Sequence, residues 1–324
     1  MSRLNISGSV SYLDTTPAKN ATVRIIDQDD RSSDNVILTA TTDSRGKFVG
    51  RTIDWKDEPD GFWPWEHDFM NLTFEVTDSI GRRHTGPFIY VNAAISVPIL
   101  LPFTKPAIRS ENRALLVLAD LSQVLTGTLK NFRPLYQFSE SNGVNLVNAN
   151  LRGYYHEIKV LGPGDVTLDR IVSNLSRMTG NSNIWEVDLI VFLHGGRDSL
   201  TLSNDTVHMT TIVNAIRDAN LPASKLRMVY STACYGASQA DNWVSAGFNC
   251  ASGSKACNAN GAVELLPFLL KWREGKTFGT CISESENLVL SAPFDAAARL
   301  MLPDQVVNSD KDVIGDGTIT ISSF

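Results

Sequence analysis

The chain has no apolar run approaching the eighteen or so residues that span a bilayer, so no membrane-crossing helix is expected. Its first residues, Met1-Ser2-Arg3-Leu4-Asn5-Ile6-Ser7-Gly8, lack the continuous apolar stretch of a signal peptide, and the expectation is a cytoplasmic protein. A basic stripe is missing too: the net charge is −6 and Lys and Arg are scattered, which argues against nucleic acid as a partner. Cysteine is scarce. Cys234, Cys250, Cys257 and Cys281 show neither the C-x-x-C spacing of a zinc site nor the density of a disulfide-stapled domain, so free thiols, no metal and no cofactor are expected. A G-x-S-x-G elbow is also absent, which sets a serine hydrolase of that type aside.

What is present is an ordinary globular composition, 43% hydrophobic and 20% charged, in 324 residues. At roughly 100 to 200 residues per domain, that length suggests two domains. Up to residue 97 the pattern is of short strands split by turn residues. Ile6, Gly8, Val10 and Tyr12 alternate with polar residues, as do Val23 and Ile25, and residues 36–42 are rich in β-branched side chains. A turn at Asp43-Ser44-Arg45-Gly46 leads to Lys47-Phe48, with further strands at 72–76 and 88–91. Such spacing favours an all-β sandwich over residues 1–97. The succession Ile6-Ser7-Gly8-Ser9-Val10, Pro17 to Val23, and Thr41-Thr42-Asp43-Ser44-Arg45-Gly46-Lys47-Phe48 resembles the transthyretin-like or carboxypeptidase-regulatory-like sandwich. That resemblance implies a non-catalytic docking, binding or folding-support module. Trp55, Trp63 and Trp65 cluster in one acidic loop and could form a ligand platform or a packing surface. Pro98, Pro102 and Pro106 mark a linker over 98–112.

From 113 to 324 the pattern changes to strand-length apolar runs alternating with helix-like stretches, the signature of a mostly parallel sheet covered on both faces, an α/β/α three-layer fold. Strands are expected at 114–119, 157–161, 187–193, 226–231 and 247–251, and helices at 165–179, 206–219, 236–245 and 260–273. Asp310, Asp312 and Asp316-Gly317 suggest a broken calcium loop, better explained as a turn before a last strand at 318–321.

Active sites in such sheets gather at the carboxyl ends of strands. Two strands end in chemistry there: Val187-Asp188-Leu189-Ile190-Val191-Phe192-Leu193-His194-Gly195-Gly196 and Leu226-Arg227-Met228-Val229-Tyr230-Ser231-Thr232-Ala233-Cys234-Tyr235-Gly236. One crossover helix fits between them, so neighbouring parallel strands would deliver a base and a nucleophile to one edge. The glycines after His194 let backbone approach closely and leave N–H groups for an oxyanion, and the helix expected after Cys234 would stabilise a thiolate. Cys250, Cys257 and Cys281 read as small buried hydrophobes. His156 falls at the wrong sheet edge, and His208 in a helical stretch.

The paired strand-His194-Gly195 and strand-Ala233-Cys234 motifs resemble the caspase-like clan of cysteine peptidases, caspases, metacaspases, legumains and gingipains among them. The resemblance implies a Cys234 nucleophile, His194 as acid/base, an acyl-enzyme, and an oxyanion hole from the Gly195 and Cys234 N–H groups. Thr232 stands where caspases proper carry glutamine, which argues against cleavage after aspartate. For the substrate pocket, Asp120 would favour a basic residue, while Ser252 and Lys255 would wall the same pocket and Lys255 would favour an acidic one. A protein or peptide substrate follows, with control by self-cleavage, an activating partner or docking through the N-terminal module. The alternatives are a catalytically silent scaffold on the same fold, and transpeptidation or amidase chemistry with the same dyad.

Overall fold

The computed structural model describes residues 4–27, 35–43, 45–51, 70–79, 81–91, 94–103, 109–122, 133–286, 288–301 and 303–323. The chain divides into two compact units, Met1–Pro106 and Ala107–Phe324. The tryptophan-bearing loop with Trp55, Trp63 and Trp65 lies outside the described residues.

In the first unit the alternating residues build two sheets. One orders β4 (Lys47–Arg51), β1 (Asn5–Ser11) and β7 (Ile95–Leu100); the other orders β3 (Asn35–Thr41), β2 (Thr22–Asp27), β5 (Met70–Thr77) and β6 (Arg83–Val91). Both feed one core, with Ile6, Val10, Phe48, Val97 and Ile99 from the first and Val23, Ile25, Leu72, Phe74 and Val76 from the second. The Thr-Asp-x-x-Gly-x-Phe run has a local cause. Thr42 is buried, accepts from the Ala21 N–H and donates to the Ala18 carbonyl, while Asp43 Oδ1 accepts from the Arg45 and Lys47 N–H groups at 2.8 Å. Gly46 then turns at φ +70°, where a Cβ would meet the Val10 carbonyl at 2.4 Å, and Phe48 enters the core. The segment expected as linker is partly ordered: Pro98 sits within edge strand β7, Leu101 is buried, and residues 110–112 form a 3-10 turn that runs into the next strand.

The second unit is a sheet of β9 (Glu157–Leu161), β8 (Arg113–Asp120), β10 (Glu186–Gly196), β13 (Leu226–Ser231), β14 (Cys250–Ser254) and β15 (Lys311–Gly315), in that spatial order. All pairs are parallel except β14 with β15, and the short β11 (Ser199–Thr201) and β12 (Thr206–His208) extend the end of β10 as an antiparallel meander. Strand residues serve the two faces alternately, which is why the runs are apolar throughout. Ala114, Leu116, Leu118, Leu189 and Val191 pack against α2 (Leu168–Gly180), α3 (Met209–Asp218) and α4 (Gly236–Ser245). Leu115, Val117, Ile190 and Phe192 pack against α1 (Arg133–Leu151), α5 (Gly261–Arg273) and α6 (Phe278–Ser285). A further helix, α7 (Leu288–Met301), precedes β15. Among the described residues no helix is long and apolar enough to cross a membrane.

Several expectations are corrected. The strand expected at 247–251 begins three residues later, because Gly247 at φ +117° ends the α4 turn first. The helix expected from 206 starts at Met209, with the His208 imidazole capping the Thr210 N–H. Residues 318–321 form turns, not a strand. Asp316 caps Thr318, and the Ile321 carbonyl accepts from the buried Arg227 instead of from a ladder.

Arg227 on β13 is fully buried and forks onto Asp188 of β10, which also accepts from the Tyr155 hydroxyl; Trp272 Nε1 donates to that hydroxyl at 3.0 Å. Burial alone would lower the guanidinium pKa, but the Asp188 charge and hydrogen bonds outweigh it and raise it above its ordinary value. Removing one partner leaves an unpaired buried charge. Asp188→Ala should therefore cost about 3–5 kcal/mol in denaturant unfolding, and the double change Asp188→Leu with Arg227→Met should recover part of that loss.

Candidate active site

Strands β10 and β13 are parallel neighbours with Val191 opposite Ser231, so His194 and Cys234 each lie three residues beyond the same rung, His194 still within β10 and opposite Thr201 of β11, Cys234 past the end of β13. They emerge at the carboxyl edge, beside the point where strand order reverses: the chain steps from β8 outward to β9, then back across β8 to β10. His156 is exposed at the opposite edge and His208 caps α3, so neither reaches this place.

The half-buried His194 ring has its Nε2 2.8 Å from the carbonyl of Leu121, just past the end of β8. A carbonyl only accepts, so Nε2 carries the proton and the neutral ring offers Nδ1 as its base. Burial lowers the imidazole pKa from its ordinary 6.5, against smaller raising effects of the Leu121 carbonyl and the Asp120 charge. Tyr136 of α1 packs its ring edge-on to the imidazole, centroids 5.0 Å apart.

Cys234 lies in the turn between β13 and α4. Tyr235, next to it, holds a left-handed φ of 56°, a conformation that costs energy for a residue with a side chain and that turns the chain sharply into α4. Three anchors fix this turn. The Thr232 N–H and hydroxyl both donate to the Val191 carbonyl, the Tyr235 N–H donates to the Ala256 carbonyl at 2.8 Å, and Asn258 donates its side-chain amide to the Thr232 carbonyl at 3.0 Å. The Asn258 backbone N–H points at Cys234 Sγ at 3.3 Å. The Cys234 N–H faces its own sulfur and has no carbonyl acceptor among the described residues.

The expected thiolate is corrected. A hydrogen bond with the Cys257 thiol, together with burial, holds the Cys234 pKa well above that of a free thiol, outweighing the backbone N–H groups at the helix start. Cys257, read as a plain buried hydrophobe, is buried but lies against the candidate nucleophile. Its hydrogen bonds from Cys234 and the Tyr235 phenol draw its own pKa to about 7. Of the two, Cys257 ionises first and Cys234 keeps its proton.

The strand expected at 187–193 runs on through Gly195 and Gly196, the last residues of β10, with Gly195 opposite Leu200. Gly195 is required for close approach, since a Cβ there would meet the Cys234 carbonyl at 2.5 Å. The pocket residues scatter. Asp120 is fully buried, with one oxygen accepting from the Gly164 N–H and the Ser203 hydroxyl, so its carboxylate ties loops together and is not presented to a substrate. Ser252 is buried mid-strand in β14, opposite Tyr230. Lys255 is exposed, one residue past the end of β14, and pairs with Asp312 of the neighbouring β15 at 3.6 Å. Thr232 remains at the site, its hydroxyl committed to Val191. Among the described residues no group of three or more His, Cys, Asp and Glu could hold a metal ion.

Sequence reasoning missed two supports. Glu140, buried on α1, accepts the Leu121 N–H at 2.7 Å and so fixes the peptide whose carbonyl holds His194. Gln239, fully buried on α4, donates its amide to the carbonyls of Gly196, Ser199 and Cys234 at 3.0–3.1 Å, joining the two motifs. Cutting Gln239 to Ala orphans three carbonyls. The expected cost is about 1–3 kcal/mol of stability, with faster amide exchange at Gly196 and Cys234 read by hydrogen–deuterium mass spectrometry.

No protein-family model and no curated protein matches the sequence. Among solved structures the chain is similar to caspase-1 from Spodoptera frugiperda, at 10% identity and a TM-score of 0.47, over 66% of this chain and 91% of that one.

Proposed function

We propose that the chain is a cysteine hydrolase acting on peptide bonds, a peptidase of the caspase-like kind. The observation that carries this reading is the shared rung: parallel β10 and β13, in register at Val191 and Ser231, release His194 and Cys234 at the same edge. A histidine tautomer with a free Nδ1, and a cysteine whose N–H is uncommitted among the described residues, give the pair chemical meaning.

Both groups rest neutral, so the reaction starts from a thiol and an imidazole and not from a preformed ion pair. His194 Nδ1 takes the Cys234 proton as sulfur attacks the scissile carbonyl, then gives it to the leaving amine; water activated by the same nitrogen releases the acyl group. The Cys234 and Gly195 N–H groups are the oxyanion donors in this scheme, each aligned donor being worth about 3 kcal/mol of barrier. With Asp120 buried and Lys255 paired, preference for the residue before the cut rests on other residues around the edge. The first unit, as a transthyretin-like sandwich, would serve as a docking or regulatory module.

Peptidyl acyloxymethyl ketones bearing Arg, Lys, Asn, Asp or Leu test the reading by intact mass. Labelling of the wild type and none of Cys234→Ala is the expected result; His194→Ala should lower the rate by about 100-fold or more, and absence of labelling with every probe would overturn the proposal. Because burial lowers the His194 pKa, the base stays unprotonated down to pH values below the ordinary 6.5. The acid limb of kcat/KM should accordingly fall below pH 6.5.

A further inference from the structure

Among the described residues, Cys257 is a reactive group at this edge that the proposed hydrolysis does not use. It lies twenty-three residues beyond Cys234, on the strip that follows β14, and the fold presses that strip against the nucleophile turn. Tyr235 bonds to Ala256 on one side of Cys257, and the Asn258 N–H reaches Cys234 Sγ on the other. The Ser254 hydroxyl, between the carbonyls of Ala233 and Ala256, bridges the two segments again. Cys257 itself is pinned by its own backbone, its N–H donating to the Val306 carbonyl and its carbonyl accepting from the Asn308 N–H. Between these ties Cys257 is held beside the Cys234 turn, its thiol also reaching Gln305 Oε1 at 3.8 Å. Sulfurs held side by side by two restrained backbones need little movement to bond.

We propose that Cys234 and Cys257 form a reactive dithiol that peroxides convert to an intramolecular disulfide, which a dithiol reductant reopens. The consequence for activity rests on the peptidase reading, because the bond occupies the sulfur that would attack substrate. The chemistry balances in two steps. The resting thiolate of the pair is Cys257; the Cys234 proton passes to it, and the sulfur so freed on the more accessible Cys234 attacks the peroxide; an S–O bond forms, the O–O bond breaks, and the leaving oxygen takes up a proton, giving a sulfenic acid. Cys257 sulfur then attacks the Cys234 sulfur, the S–S bond forms, the S–O bond breaks, and hydroxide leaves with the Cys257 proton as water. Two thiols and one peroxide thus give one disulfide and two waters, with two electrons passing from sulfur to oxygen. The first ionisation of the pair, drawn to about 7 at Cys257, supplies thiolate at neutral pH.

The other two cysteines are built differently and serve as internal controls. Cys250 and Cys281 are fully buried within the core on the α5 and α6 side of the sheet, and Cys281 is pushed up to about 12 by burial. Neither has the exposure to react.

The test is mass spectrometry of the full chain after stoichiometric hydrogen peroxide, with denaturing alkylation under non-reducing conditions. The expected result is a protein lighter by about 2 Da before alkylation, with one linked peptide pair containing Cys234 and Cys257, unchanged in a Cys250→Ser, Cys281→Ser variant and reversed by dithiothreitol. In Cys257→Ser, with the fold checked by circular dichroism and a second equivalent of peroxide added to both proteins, no linked pair forms and Cys234 proceeds to sulfinic acid, a gain of about 32 Da. Sulfinic acid at Cys234 in the wild type at the same rate as in Cys257→Ser, or linkage to another cysteine, would overturn the dithiol. Labelling by an acyloxymethyl ketone is read in parallel. Linkage without labelling of the reduced protein sinks the peptidase reading alone, and labelling without linkage sinks the dithiol alone.

Discussion

Arg227 and Asp188 sit at full burial on neighbouring strands, and a charge there survives only if its partner holds still. Asp188 lies at the irregular rung between Val187 and Leu189, where β10 and β13 slip by one residue before running in register to Val191 and Ser231. The pair therefore resists any other register of these two strands. The same guanidinium takes the Ile321 and Ser323 carbonyls, drawing the chain's last described turns onto the sheet. Tyr155 and Trp272 complete the network, so elements distant in sequence close over one ionic centre. Three residues past the last registered rung, the geometry so fixed becomes the separation of His194 and Cys234.

At that far edge, hydrogen-bonded polar side chains do the positioning. Glu140 reaches His194 through the Leu121 peptide, while Gln239 ties the carbonyl of Cys234 to those of Gly196 and Ser199. Desolvation by the same packing pushes imidazole and thiol toward their uncharged forms. A site built this way keeps its proton until substrate arrives, and of the two thiols it leaves the Cys257 proton as the one more easily lost.

Much of the α/β unit was legible because its strands are buried on both faces and so read as unbroken apolar runs; 157–161 and 226–231 match the observed strands at both ends. Helix α1 was not legible. It is rich in Asn and Ser and buries only Glu140, Gly143, Val147 and Leu151, so its apolar stripe is too thin to mark a period. The hairpin of β11 and β12 is too short to carry an alternation, and the tail 318–321 has strand-like residues whose carbonyls a distant arginine claims.

By itself the sequence determined where chemistry could stand: two apolar strands, each ending in a reactive side chain, follow from hydrophobic period and local residue type, which act over a few positions. Tertiary structure decided how those groups behave. It buried Asp120, paired Lys255 with Asp312, set Cys257 against Cys234 and held the histidine by Leu121. Each of these depends on which segments meet across the sheet edge. Burial and charge act through space between residues far apart in the chain, and no local pattern records them.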